Sequence, residues 1–194
     1  MFGDPVANPR KWDIKKISDF ATVKIGPFGS ALHADDYITQ GHPVINPSHI
    51  VDGTVVPDNL LTISESKYCE LSAYHLRQGD VVIGRRGEIG RAAVIADSGL
   101  LCGTGSIFVR ISDSCRPDFL QRTISHPTFK AALEDKAVGV TMKNLNAGMI
   151  ESSYIPLPPL ELQNEFAAFV EQLDKSKVIC NKMHKMVEFS LFRV

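Results

Sequence analysis

Gly84-Arg85-Arg86-Gly87-Glu88-Ile89-Gly90 is the stretch of this 194-residue chain whose residue types and spacing come nearest to a phosphate-binding loop. It follows the apolar run Val81-Val82-Ile83 and carries a glycine at every third position. A loop that holds phosphate needs the free amides of a helix N-terminus behind its glycines. The residues that follow, Arg91-Ala92-Ala93-Val94-Ile95, have the composition of a strand, and the spacing is not GxGxxG. Two readings stay open. One is a plain glycine hairpin turn. The other is a turn that projects Arg85 and Arg86 to phosphates or guanine edges, where arginine's planar fork suits bidentate recognition. A small enzyme using Gly84–Arg91 as a phosphate site is the alternative from a different functional class.

Other reactive constellations are sparse. The chain holds neither GxSxG nor GxxxxGK[ST]. Asn46-Pro47-Ser48-His49 lacks the second proline and the aromatic with which amino-methyltransferases grip a target amine, and no glycine-rich cofactor loop precedes it. Asp35-Asp36 and Glu134-Asp135 are adjacent pairs, whose side chains point apart on a strand or helix; solvated surface charge accounts for them better than acid–base chemistry. Cys69, Cys102, Cys115 and Cys180 form no CxxC pair, and the six histidines form no HExxH, so the sequence asks for no metal and no disulfide frame. Cys69 and Cys102 are expected to pack as small apolar residues.

The elements that must position these residues are readable in outline. Short runs rich in Val and Ile and bounded by Gly, Asp or Ser predict strands at Thr22, His42, Gly79, Arg91 and Gly105. Asp118 to Val138 reads as one or two helices broken at Pro127. The strands are too unevenly spaced for βαβ repetition, so the expected fold class is α+β: a compact domain with a curled, mainly antiparallel or mixed sheet. Its bounds are 1–155. After Pro156-Leu157-Pro158-Pro159 the glycines stop, and 156–194 reads as a long C-terminal helix of coiled-coil type. Leu162, Phe166, Phe169, Leu173, Ser176, Cys180, Met183, Val187 and Ser190 recur in alternating steps of four and three, a heptad seam that wants a partner helix; the alternative, since Ser176 and Ser190 weaken the seam, is a helix folded back onto its own domain.

Charge is balanced, 21 basic against 22 acidic residues, so nucleic-acid binding would rest on local clusters rather than on a basic field. No apolar run approaches the ~20 residues of a membrane span, and the opening Met1-Phe2-Gly3-Asp4-Pro5 begins no signal-peptide apolar stretch. A cytoplasmic protein is expected.

Four segments carry a family resemblance. Trp12 to Gly41 reads W-x-I-K-K-I-S-D-F…K-I-G-P-F-G-S-A-L-H-A-D-D-Y-I-T-Q-G. GDVVIGRRGEIGRAAVI follows from Gly79 and GSIFVRI from Gly105. TMKNLNAGMIESSYIPLPPLELQNEFAAFVEQLDKSK runs from Thr141. Together they resemble the specificity subunits of type I restriction–modification systems, and the Ile-Pro-Leu-Pro-Pro junction feeding a long helix is the most specific match. The chain looks like one repeat of a protein that normally holds two: a half-length form with one target-recognition domain and one spacer helix.

The resemblance implies a non-catalytic subunit that reads half of a bipartite double-stranded DNA site. It would direct methyltransferase (modification) subunits and a restriction motor–nuclease subunit, with S-adenosylmethionine, ATP and magnesium carried by those partners and no cofactor or metal by this chain. An orphan half-subunit that retargets a resident system is the nearer alternative. Base reading needs side chains at groove edges, with phosphate contacts fixing register. The candidates are Lys24 and Ser30 around the PFGS loop, Arg85, Arg86 and Arg91 in the glycine turn, and Lys143, Asn144 and Asn146 in TMKNLN. Plain surface charge at Lys24 and turn capping at Asn144 or Asn146 are the structural alternatives. The helix-pairing set is Leu162, Phe166, Phe169, Leu173, Cys180, Met183 and Val187. One rod per chain implies a homodimer, whose ~50 Å helices would compare with ~15 base pairs of duplex.

Overall fold

The computed structural model describes residues 1–137 and 144–173. The chain divides into two compact units, Phe2–Pro158 and a second made of Met1 with Pro159 and the residues beyond it. In the first unit the strands are β1 (Ile14–Lys16), β2 (Ala21–Ile25), β3 (Tyr37–Ile38), β4 (His42–Ile45), β5 (Ile50–Val51) and β6 (Thr54–Val55). They continue with β7 (Thr62–Ile63), β8 (Val81–Gly84), β9 (Ala92–Val94), β10 (Leu101–Cys102), β11 (Ser106–Ile111) and β12 (Tyr154–Pro156). The helices are α1 (Glu65–Glu70), α2 (Pro117–Ile124), α3 (Pro127–Lys136) and α4 (Ala147–Glu151).

The central sheet, in the order β2-β11-β8-β9, is antiparallel throughout and contains four of the five strands expected from the sequence. Both of its faces are covered. Val81, Ile83, Ile107 and Val109 join Phe119, Leu120, Ile124, Phe129 and Leu133 of α2 and α3 in one core. Val82, Ala93 and Phe108 point the other way, into a second core with Ile45, Ile50, Leu76, Ile95 and Cys102. Successive strand side chains alternate between faces, so a run as apolar as Val-Val-Ile suits a strand buried on both. Pro127 stands at the first position of α3, where its missing N–H costs nothing; one helical stretch thus becomes two helices.

The single curled sheet expected from the sequence is instead several sheets. A second four-stranded sheet, β10-β4-β7-β3, packs a third core of Leu32, Val44, Ile63, Leu71 and Leu101. It is mixed, with β10 and β4 parallel. Strands of two residues, as at β3, β7 and β10, show no periodicity to read. The ribbon β1–β12 pairs Ile14 with Pro156 and so closes the unit end to end. The fold class is α+β. In the second unit, residues 160–173 are helical. Among the described residues no helix is long and apolar enough to cross a membrane.

Candidate nucleic-acid interface

One end of the central sheet gathers the segments that the sequence singled out. β2 leaves it at Gly26, β8 leaves it at Gly84, and β11 enters it at Gly105–Ser106, because antiparallel pairing sets Ile25 against Ile107 and Ser106 against Gly84. Backbone bonds tie the loops together. Gly26 N donates to Ser106 O at 3.0 Å, Arg85 N to Gly105 O at 3.0 Å, and Leu145 N to Arg85 O at 3.0 Å. The PFGS loop, the glycine turn and residues 144–146 therefore meet at one place.

The Asn46–His49 segment, set aside as a catalytic motif, lies in the middle of this cluster. Gly103 N donates to Ile45 O, and Gly105 N approaches Asn46 Oδ1 at 3.4 Å. Pro47 packs against Gly105 and Gly84, so closely that a Cβ on those glycines would lie 2.9 and 3.2 Å from its ring. Here Asn46 and Pro47 are structural. Their proximity to the glycine turn spans about forty residues of chain, which no local pattern reports.

The Gly84–Arg91 stretch is a hairpin connection, as the first reading had it. Gly84 N donates to Arg91 O, and β9 follows where a phosphate loop would need a helix. The phosphate-site enzyme loses its structural basis at that point. Within the turn the three arginines differ. Arg85 is half-buried: its Nε donates to Leu145 O at 3.1 Å, and burial, then the charge of Arg86, lowers its pKa. Arg91 is held by Glu88 Oε2, with its Nη1 3.4 Å from Ile50 O. Arg86 is exposed at the tip. Beside it Gly87 (φ +73°) would meet nothing within 4 Å on gaining a Cβ, so that side of the tip is open to a ligand.

The remaining candidates divide in the same way. Lys24 is exposed on β2, opposite Phe108. Ser30 is exposed in the short turn after Phe28, itself 63% exposed. Asn144 is half-buried. Asn146 caps α4, its side chain accepting from Met149 N at 3.0 Å, as the turn-capping alternative supposed. Lys143 lies outside the described residues. On the helix 160–173, Leu162 and Phe166 are half-buried and Phe169 and Leu173 are exposed, while Cys180, Met183 and Val187 lie outside the described residues. Of the cysteines, Cys102 packs in the second core as expected. Cys69 does not: it is exposed on α1, its thiol 3.4 Å from Glu65 Oε1, because it lies on the face of that short helix, with Glu65, Ser66 and Glu70, that is open to solvent. Among the described residues no His, Cys, Asp and Glu cluster could hold a metal ion.

What this end of the sheet presents is a set of short connections tied by backbone bonds, with Arg86 exposed at the tip of one and Lys24 exposed near the end of β2. Comparison with known proteins then places the chain. Residues 9–188 match the family model of the type I restriction modification DNA specificity domain, and the chain belongs to that family. It is similar to the specificity subunit of the type I restriction enzyme EcoBI of Escherichia coli, 28% identical over 170 residues, which are 86% of this chain and 35% of that protein. A solved chain from work on complex assembly and conformational transition of the type I R-M system has a TM-score of 0.67 at 20% identity, covering 95% of this chain and 44% of that one. The HsdS subunit from Thermoanaerobacter tengcongensis has a TM-score of 0.62 at 20% identity, covering 87% and 38%. Those two share the fold. The chain spans less than half the length of each of these relatives.

Proposed function

We propose that this chain is a sequence-reading DNA subunit of a type I restriction–modification complex, contributing one recognition domain for one half of a bipartite site. The observation that carries the reading is the gathering of the PFGS loop, the Arg86 tip and residues 144–146 at one sheet end, within a chain of the DNA specificity domain family. Among the described residues, Arg86 and Lys24 are the candidate cations exposed there. Arg86 suits a base edge or a phosphate; Lys24, a point charge on a flexible stem, suits a phosphate.

In this reading the chain performs no chemistry. Methyltransferase subunits, with S-adenosylmethionine, methylate adenine at the site the chain selects. A motor–nuclease subunit, with ATP and magnesium, cuts unmodified DNA. The complex works in the cytoplasm. The long helix pairs with that of a second copy through the seam that includes Phe169 and Leu173, both exposed in the isolated chain. A symmetric pair reads the same half-sequence twice in inverted orientation.

The test is a methyl-adenine map of host DNA by single-molecule sequencing, with the gene intact and deleted. Loss of one bipartite motif on deletion is expected, with symmetric halves if the chain pairs with itself. An unchanged map refutes the proposal.

A further inference from the structure

Around the exposed tip the two arms of the hairpin are fixed by different parts of the molecule. The first arm, at Arg85, is held by backbone bonds to Gly105 and Leu145. The second arm, Glu88 to Ala92, is held by side chains of α2 and α3, elements that take no part in the loop cluster. Gln121 Nε2 donates to Ala92 O at 3.0 Å, and Ser125 Oγ donates to Gly90 O at 3.3 Å. Lys130 Nζ donates to Glu88 Oε1 at 3.1 Å. The stem of Lys130 crosses Gly90 so closely that a Cβ there would lie 2.5 Å from Lys130 Cγ. Between these points Ile89 is buried, 2% exposed, in the core it shares with α2 and α3.

Glu88 is the hub of this arm. One carboxylate oxygen takes Lys130 and the other takes Arg91, which in turn reaches Ile50 O. A bare carboxylate two residues from Arg86 would repel a phosphate backbone. With both oxygens occupied by cations, its charge is balanced and the second arm is tied to α3.

We propose that Lys130 and Glu88 are positioning residues for DNA recognition: they act through the hairpin to fix where Arg86 presents its guanidinium. This rests on the recognition role proposed above and adds to it that the base preference at one position of the half-site is set partly from α3. A contact that depends on fork geometry loses most of its value when its support shifts by an ångström, while a phosphate contact is more forgiving. Loosening the support therefore flattens one position of the motif and leaves general affinity almost intact. Fold stability moves little, because the Lys130 and Glu88 side chains are 25% and 53% exposed and pairs of that kind contribute little to folding.

The experiment uses the full chain assembled with its modification subunits and a library of duplexes of random sequence. The wild-type complex is expected to enrich one motif. Lys130→Met and Glu88→Gln are each expected to lose about fivefold in base preference at a single shared position, the most that a partly exposed pair can supply by holding a pose. Binding to unselected duplex, which rests on phosphate contacts, should fall slightly in Lys130→Met and rise slightly in Glu88→Gln, as the two remove charges of opposite sign. Lys130→Arg, which keeps the charge and the reach, restores the preference. An unchanged motif in both variants overturns the inference while leaving the recognition role standing. So does a uniform loss at all positions accompanied by a lower melting temperature, the signature of a purely structural pair. A wild-type complex that enriches no motif overturns the recognition role and this inference with it.

Discussion

Adding a single methyl group at Gly26 tests whether the loop cluster is built by backbone packed on backbone. An alanine Cβ there would lie 2.0 Å from Gly103 O and 2.6 Å from Gly103 C. Ordinary contact begins near 3.4 Å, so the two segments must part by about 1.4 Å. Neither is free to move. Gly26 N is bonded to Ser106 O, Gly103 N to Ile45 O at 2.9 Å, and Ser106 N to Gly103 O at 3.0 Å. Relief must break one or two of these bonds, at about 1 kcal/mol each, and add overpacking strain of roughly 1–3 kcal/mol. A loss of about 2–5 kcal/mol is expected, which for a chain of this size lowers the melting temperature by roughly 4–20 °C. The comparison variant is Gly87→Ala, at φ +73° with open space around it. Only the left-handed backbone is penalised there, at about 1–2 kcal/mol. Thermal and urea melts of the full chain, followed by circular dichroism, measure both. A Gly26→Ala protein melting within about 2 °C of wild type, or above Gly87→Ala, would refute the argument that this contact holds the cluster.

At the opposite end of β8, Asp80 is 3% exposed and accepts from Arg110 Nε (2.9 Å), Arg110 Nη2 (2.6 Å) and Arg77 N (2.8 Å). Arg110→Met leaves that carboxylate buried with one backbone donor and should cost about 3–5 kcal/mol. Asp80→Ala should cost less, since Arg110 keeps His75 O, the Phe108 ring at 5.1 Å and water; the reverse order in urea melts would count against this. His42, bonded to Glu65 at 2.6 Å, has its pKa raised above 6.5 chiefly by that bond, and Glu65 has its pKa lowered below 4.5 chiefly by the same bond. The stabilisation from His42 is complete below 6.5 and fades as pH rises through its raised value. That from Glu65 is complete above 4.5 and fades as pH falls through its lowered one. NMR titration should place His42 above its ordinary value in wild type and nearer to it in Glu65→Gln; equal values in the two would remove the pair as the cause. Arg86→Ala should cost roughly 1–3 kcal/mol in discrimination at one base, and an unaltered motif in duplex selection would remove Arg86 from the interface. Phe169→Asp with Leu173→Asp should leave the first unit folded and the chain monomeric, and a dimer surviving in sedimentation would exclude the seam as the pairing surface.

How much of this was legible depended on the distance over which each feature is encoded. β2, β8, β9 and β11 could be read because each has the strand's own composition and glycine or aspartate stops. α2 and α3 could be read because Pro127 and the helical spacing are local. The loop cluster could not. Arg85 meets Leu145 across 60 residues, and Gly105 meets Asn46 across 59. The same holds for the ranking of the arginines. As a sequence, Arg85, Arg86 and Arg91 are three equal cations in one glycine turn. Arg85 and Arg86 both lie past the end of β8, in the connection, where no strand alternation tells which of them faces inward. Which of them faces inward is settled by the carbonyl at Leu145, and what occupies Arg91 is settled by Glu88 with help from Lys130. A loop cluster assembled from connections this far apart in the chain must be specified this way. The glycines and prolines that allow the close approaches are visible in the sequence, while the approaches themselves belong to the pairing of strands far apart in it. In the proposed role, substituting an exposed residue such as Arg86 would change what is read, whereas substituting Gly26 would change whether the loops that carry it stay gathered.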